Sequence, residues 1–199
     1  MTHELFLALS LFAFVSSITP GPNNLMLMAS GANFGFRRTI PHMLGVAVGF
    51  VLMILVLGAG LVRVFETYPQ SYAVLKGISI VYLLFLAYKI ATAVPLRDGR
   101  AVGTPMTFVQ AASFQWANPK AWAMALTAIS AYTPGHSFGA VLLVGMVFGA
   151  INLPSVSSWT FMGQQMARVL TSPSRLKGFN WTMAALLVAS LYPVLWTAG

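Results

Sequence analysis

The chain has 199 residues, 58% of them hydrophobic and only 7% charged. A soluble domain carries roughly a quarter charged residues, so this surface cannot be kept wet, and the solvent it implies is lipid. The net charge of +8 does not point to nucleic acid. The basic residues sit in pairs and triplets between apolar runs, as loop anchors do at a membrane surface, and are not gathered on one phosphate-binding face.

Crossing about 30 Å of hydrocarbon takes around 20 apolar residues. On that scale the sequence predicts six spans: Leu5–Met28, Ile40–Val64, Tyr72–Val94, Phe108–Tyr132, Phe138–Phe161 and Asn180–Thr197. Met1-Thr2-His3-Glu4 has no basic n-region, so the first run is expected to stay as a helix and not to be cleaved as a signal peptide. The segments between the runs are short, which makes residues 1–199 a single transmembrane domain of an all-α integral membrane protein. The first, third and fifth connections carry eight Lys and Arg (Arg37, Arg38, Lys89, Arg97, Arg100, Arg168, Arg175, Lys177) against two, Arg63 and Lys76, in the others. The excess of basic residues marks the cytoplasmic side, so both termini are predicted to be periplasmic.

Three short matches recur at nearly one displacement. Gly45-Val-Ala-Val-Gly49 matches Gly145-Met-Val-Phe-Gly149 at 100 residues, Leu75-Lys76-Gly77 matches Leu176-Lys177-Gly178 at 101, and Thr19-Pro20 aligns with Asn118-Pro119 at 99. A unit of three spans re-enters the membrane from the other side when copied, so 1–100 and 101–199 are predicted to be inverted repeats, a design common among secondary transporters. Duplication without transport would leave the same trace. Gly45/Gly49 and Gly145/Gly149 are small-xxx-small faces suited to close helix packing, inside one bundle or between the copies of a homodimer.

Spans one and four are predicted to break at proline. In Ser16-Ser17-Ile18-Thr19-Pro20-Gly21-Pro22-Asn23-Asn24 two prolines remove backbone donors, and Pro22 is suited to start a second half-helix. Gln115-Trp116-Ala117-Asn118-Pro119-Lys120 is the counterpart. Backbone groups freed at that depth need protein partners or a cavity. A half-helix N-terminus suits a carboxylate, and Lys120 adds a full charge that lipid would penalise unless it faced a cavity or partner; the alternative is that it snorkels to the interface. Asn23, Asn24, Gln115 and Asn118 are candidates to bond an ammonium or hydroxyl. The candidate substrate site is Thr19, Pro20, Gly21, Pro22, Asn23, Asn24, Gln115, Asn118, Pro119, Lys120 and Asn152. Asn152, Ser155 and Trp159, on one face beside Pro154, either line the path or only bond between helices. His42, beside Pro41, is either a proton relay or a structural residue.

The chain has no cysteine, which leaves no disulfide, thiol chemistry or Cys-based metal site. His3, His42 and His136 are too scattered for zinc, and no nucleophile sits at a fixed spacing from a base. The sequence implies neither a cofactor nor an enzyme. Glu4, Glu66 and Asp98 fall near span ends or in loops, so no core carboxylate awaits a cationic substrate, and a zwitterionic, neutral amino acid fits better. A carrier of another solute, such as a metal or organic cation, and a non-transporting membrane protein are the competing readings.

These motifs resemble the LysE/RhtB family of amino-acid exporters across essentially the whole chain. The resemblance is carried by Ile18-Thr19-Pro20-Gly21-Pro22-Asn23-Asn24, Gly35-Phe36-Arg37-Arg38, Gly45 with Gly49, Leu86-Ala87-Tyr88-Lys89, Phe114-Gln115 and Asn118-Pro119-Lys120. It implies a six-helix protein of the bacterial inner membrane that exports amino acids on the proton motive force. It also implies a transport site at Pro20, Gly21, Pro22, Asn23, Asn118, Pro119 and Lys120. Within the family the chain is most similar to the cysteine and O-acetylserine exporter group, through Pro-Gly-Pro-Asn-Asn and Asp98-Gly99 ahead of Phe108.

Overall fold

The computed structural model describes residues 1–61, 67–68, 70–93, 103–133 and 137–192. The expectations for Arg63, Glu66, Arg97, Asp98, Arg100 and His136 lie outside them. The described residues form helices and no strand, as a bilayer demands of a chain whose backbone must satisfy itself segment by segment.

Helix α1 (His3–Ile18) is capped by Thr2, whose side chain accepts from the Leu5 amide at 3.3 Å. It stops where the prolines forbid it to continue, and α2 (Pro22–Phe34) starts with Pro22 in its first turn. Gly35 then reverses the chain at φ 79°, a left-handed conformation that glycine adopts without strain. Helix α3 (Phe36–Val56) follows at once and ends in a wider π turn, Leu57–Leu61. Helix α4 spans Gln70–Ala91. The short α5 (Phe108–Phe114) opens on a capping box between Thr107 and Gln110 and tightens into the 3-10 turn Gln115–Ala117. Helix α6 (Pro119–Tyr132) starts from an Asn118 cap.

Helix α7 (Phe138–Val169) is 32 residues long, about 48 Å at 1.5 Å per residue, and outruns the predicted Phe138–Phe161. Its polar extension Gly163-Gln164-Gln165 stays helical, packed against α2 through Gly163 on the Met28 backbone. Helix α8 (Pro173–Ala189) begins seven residues before the predicted Asn180, on a Ser172 cap with Pro173 in its first turn.

Phe36–Leu61, Ala73–Ala91 and Phe138–Val169 are each long and apolar enough to cross a bilayer, and α1 with α2, bent by 52°, qualifies as a further broken span. Among the described residues α8, at 17, and the interrupted α5–α6 fall short of that measure. The distribution of side chains is nevertheless that of a lipid-embedded bundle throughout. Leu44, Val48, Leu52 and Val56 form an exposed stripe along α3, and Ile78, Val81, Phe85 and Tyr88 do the same on α4. Ser17, Asn24, Gln115, Asn118, Asn152 and Asn180 are buried instead. Polar groups inside and large apolar groups outside is the arrangement lipid favours.

Close packing rests on glycine. A methyl on Gly49 would lie 2.5 Å from Cα of Ala112 and one on Gly45 would strike the Phe108 carbonyl, so α3 and α5 meet backbone to backbone. The second glycine pair is looser: the nearest atoms facing Gly145 and Gly149 are Val51 side-chain carbons at 3.5 and 3.1 Å. The tightest crossing has no repeat signature. A side chain on Gly31 of α2 would fall on the Thr160 carbonyl of α7, and one on Gly163 would fall on the Met28 carbonyl. Leu83, Leu86 and Ala87 of α4 share an apolar layer with Ala184 and Leu187 of α8.

One end of the bundle gathers the basic segments. The Arg38 guanidinium donates to the Gly103 carbonyl at 3.2 Å and lies over the Phe34 ring, while the Phe36 amide donates to Gln164 Oε1 at 2.7 Å. Lys89 ends α4, Arg168 ends α7, and Arg175 begins α8.

Candidate functional site

The two chain breaks lie against each other. Lys120, the second residue of α6, sends its half-buried side chain across to the break between α1 and α2. Its ammonium donates to the Thr19 carbonyl at 2.7 Å, to Thr19 Oγ1 at 2.9 Å and to the Pro20 carbonyl at 3.3 Å. Those carbonyls lie in the break between α1 and α2, where the chain is not helical and no helical amide reaches them. The cation therefore repairs the cost of one break with the residue that follows the other. Gly21 makes room for it: a Cβ there would come within 2.6 Å of Lys120 Cδ. Gly21 itself is fully extended, at φ −179°, so glycine is required here for space and not for conformation.

The asparagines and the glutamine lock the same junction. Asn24, buried, donates to the Ser17 and Thr19 carbonyls, each at 2.8 Å. Asn23 Nδ2 donates to Gln115 Oε1 at 2.8 Å, and Gln115 returns a bond at 3.3 Å while also donating to the Ala111 carbonyl at 2.8 Å. Asn118 Oδ1 accepts from the Lys120 amide at 3.1 Å, capping α6. The N-terminus of α2 has no such side-chain cap, whereas the Lys120 amide of α6 is taken. Pro22 and Pro119 occupy the equivalent helix-opening positions.

From α7, Asn152 Nδ2 donates to Ser17 Oγ at 3.2 Å and Trp159 Nε1 to the Ile18 carbonyl at 3.0 Å, so both tie α7 to the end of α1. Ser155, on the same face, donates to Ile151 of its own helix at 2.8 Å. Asn152 Oδ1 is buried and has no partner. It lines, with Gly21, Asn23, Asn24, Gln115, Asn118 and Lys120, a cavity of about 20 Å³, roughly the room of one water molecule. The structure thus brings all eleven candidate residues to one junction, with Thr19 and Pro20 present through their oxygens and Pro22 and Pro119 as helix starters.

Sequence reasoning missed Ser17, Phe50, Ala121 and Met124, which line the same cavity. Ser17 stood in the broken run and was its one visible signal; the others are ordinary core residues until the helices are packed. His42 is not at this junction. It is 1% exposed, and neither ring nitrogen has a partner. Among the described residues, no three His, Cys, Asp or Glu come together as a metal-binding group.

A cation, an uncapped helix start and a free buried acceptor can hold the two ends of a zwitterion: carboxylate on Lys120 and the α2 amides, ammonium on Asn152 Oδ1. The chain is 30% identical over 190 residues to the cysteine/O-acetylserine efflux protein of Klebsiella pneumoniae, covering 94% of this chain and 95% of that one. The proteins of the same description from Salmonella typhimurium and Escherichia coli K12 are 27% and 26% identical, each aligned over 94% of this chain and 96% of theirs. No solved structure matches it. Residues 14–190, which include both breaks and every residue of the junction, match the LysE type translocator family, and the chain belongs to that family.

Proposed function

We propose that the chain is a secondary transporter that exports small neutral amino acids or their derivatives from the cytoplasm, driven by the proton motive force. It crosses the bacterial inner membrane six times, as two inverted three-helix repeats, with both termini periplasmic. The observation that carries this reading is the Lys120 ammonium at the junction of the two breaks, with the unpartnered Asn152 Oδ1 lining the same cavity. A substrate carboxylate can exchange with the Thr19 and Pro20 oxygens for Lys120, so binding and loosening of the junction become one event. The relatives described as cysteine/O-acetylserine efflux proteins support O-acetylserine and cysteine as first substrates to test. A cationic solute is disfavoured, because none of the side chains lining the cavity is a carboxylate.

The test is efflux of preloaded radiolabelled O-acetylserine and cysteine from proteoliposomes, with and without an imposed proton gradient, for wild type and Lys120→Met. Gradient-dependent efflux that disappears in the variant is the expected result. Efflux that ignores the gradient would remove proton coupling, and efflux that survives Lys120→Met would remove the carboxylate site. No flux of any amino acid would overturn the function.

A further inference from the structure

The junction cavity, at about 20 Å³, is too small in this structure for an amino acid, whereas a second cavity of about 440 Å³ opens toward the basic end. The latter lies within the range of about 300–1,000 Å³ usual for small-molecule sites. Its walls are Ala29, Ser30 and Asn33 of α2, His42 of α3, Leu86 and Lys89 of α4, and the segment 103–107 running into Gln110 of α5. Met26 of α2 also lines it and packs with Phe114, Leu83 and Leu86 in one apolar layer. Asn23, one turn above Met26, lines the junction cavity instead. The two cavities therefore stack along α2 with an apolar layer between them.

His42 is what makes the larger space more than a void. A neutral imidazole has one donor and one acceptor nitrogen, and leaving both buried and unpaired is costly. Here both are buried and unpaired, on a residue that borders a roomy cavity. Lys89 is the charged side chain lining it, exposed at the end of α4, and no carboxylate lines it among the described residues. Other polar groups at this depth are satisfied: Ser30 bonds Thr39 at 2.9 Å, and Asn33 and Asn180 exchange bonds at 2.7 and 3.1 Å.

We infer that this cavity is a second amino-acid site, the cytoplasmic vestibule of the exporter, where His42 binds the backbone of the incoming substrate and Lys89 draws its carboxylate to the mouth. This rests on the export reading above. The imidazole acceptor accepts a hydrogen bond from the substrate ammonium, or its donor bonds the carboxylate, and the Met26–Phe114 layer separates this loading site from the junction. Recognition uses the groups common to all amino acids, so the vestibule selects for a small zwitterion, and discrimination among side chains is left to the junction.

The absence of native cysteine allows a direct test. Ala29→Cys reports on the vestibule and Ala121→Cys on the junction, each in the otherwise unchanged chain in inside-out vesicles, labelled with a membrane-impermeant thiol reagent. With O-acetylserine at about ten times its Kd, labelling at 29 should slow about tenfold, since only the free fraction reacts. Adding His42→Phe should abolish protection at 29 and leave protection at 121, which also shows that the variant is folded; His42→Asn, which keeps a donor and an acceptor, should restore part of it. Protection at 121 but not at 29 in the unmodified background overturns the vestibule and spares the exporter. Protection at 29 that persists in His42→Phe overturns the role of His42. If neither position is protected and wild-type proteoliposomes show no flux, the export reading falls and the vestibule with it.

Discussion

At the scale of single residues, Gly21 and Lys120 act as one unit although they come from different breaks. The extended backbone at 21 accepts any residue, so Gly21→Ala is a purely steric change aimed at a flexible side chain. It should push the ammonium off its oxygens, which costs the protein about 1.5 kcal/mol of charge-assisted bonding and lowers the unfolding midpoint. With the cation moved from where the carboxylate would bind, KM for efflux should rise, about tenfold for each 1.4 kcal/mol of substrate binding lost. Efflux kinetics of Gly21→Ala check this, and an unchanged KM would mean that the position of Lys120 does not matter. That Lys120 calls for a partner was legible in the sequence, because a cation in an apolar run demands an explanation. Its partner was not, since backbone oxygens carry no letter code. Asn152 was legible as polar and buried, but its spare acceptor became visible only once Ser17 had taken its amide hydrogen.

At the scale of elements, the prolines announced both breaks, and the glycine pair 45/49 announced the α3–α5 contact. The α2–α7 crossing escaped because Gly31 and Gly163 are one glycine each on separate helices, and no spacing rule links them. Each would drive a side chain into the partner's backbone, which cannot swing away. Gly163→Leu should therefore destabilise by about 1–3 kcal/mol, the usual cost of overpacking, measured as a lower unfolding midpoint in detergent. Gly178→Ala, with nothing within 4 Å of the added carbon, should be neutral or stabilising by up to about 1 kcal/mol, because alanine favours a helix over glycine. Equal effects at both sites would show that the crossing tolerates separation. The true length of α7 was hidden for a related reason: hydropathy judges a helix against lipid, while residues 163–165 are held by protein.

At the scale of the whole molecule, the lipid-facing exterior and the sequestered amides were foreseeable from composition alone. The six-span count and the orientation still rest on the sequence. Eight basic residues against two predict that the termini are outside, so a cysteine added before Met1 should react with an impermeant reagent in intact cells without permeabilisation. Reaction only after permeabilisation would invert the orientation and exchange the sides of the two cavities. The crossing at Gly31 and Gly163 has a mechanical consequence. Two backbones in contact have no side-chain layer to shear, so α2 and α7 form one strut, and Asn152 and Trp159 fasten the end of α1 to it. That strut joins a helix from residues 1–100 to one from 101–199. The two sequence halves are therefore fastened to each other at this crossing, backbone against backbone, whereas α4 and α8 meet through a layer of leucine and alanine side chains.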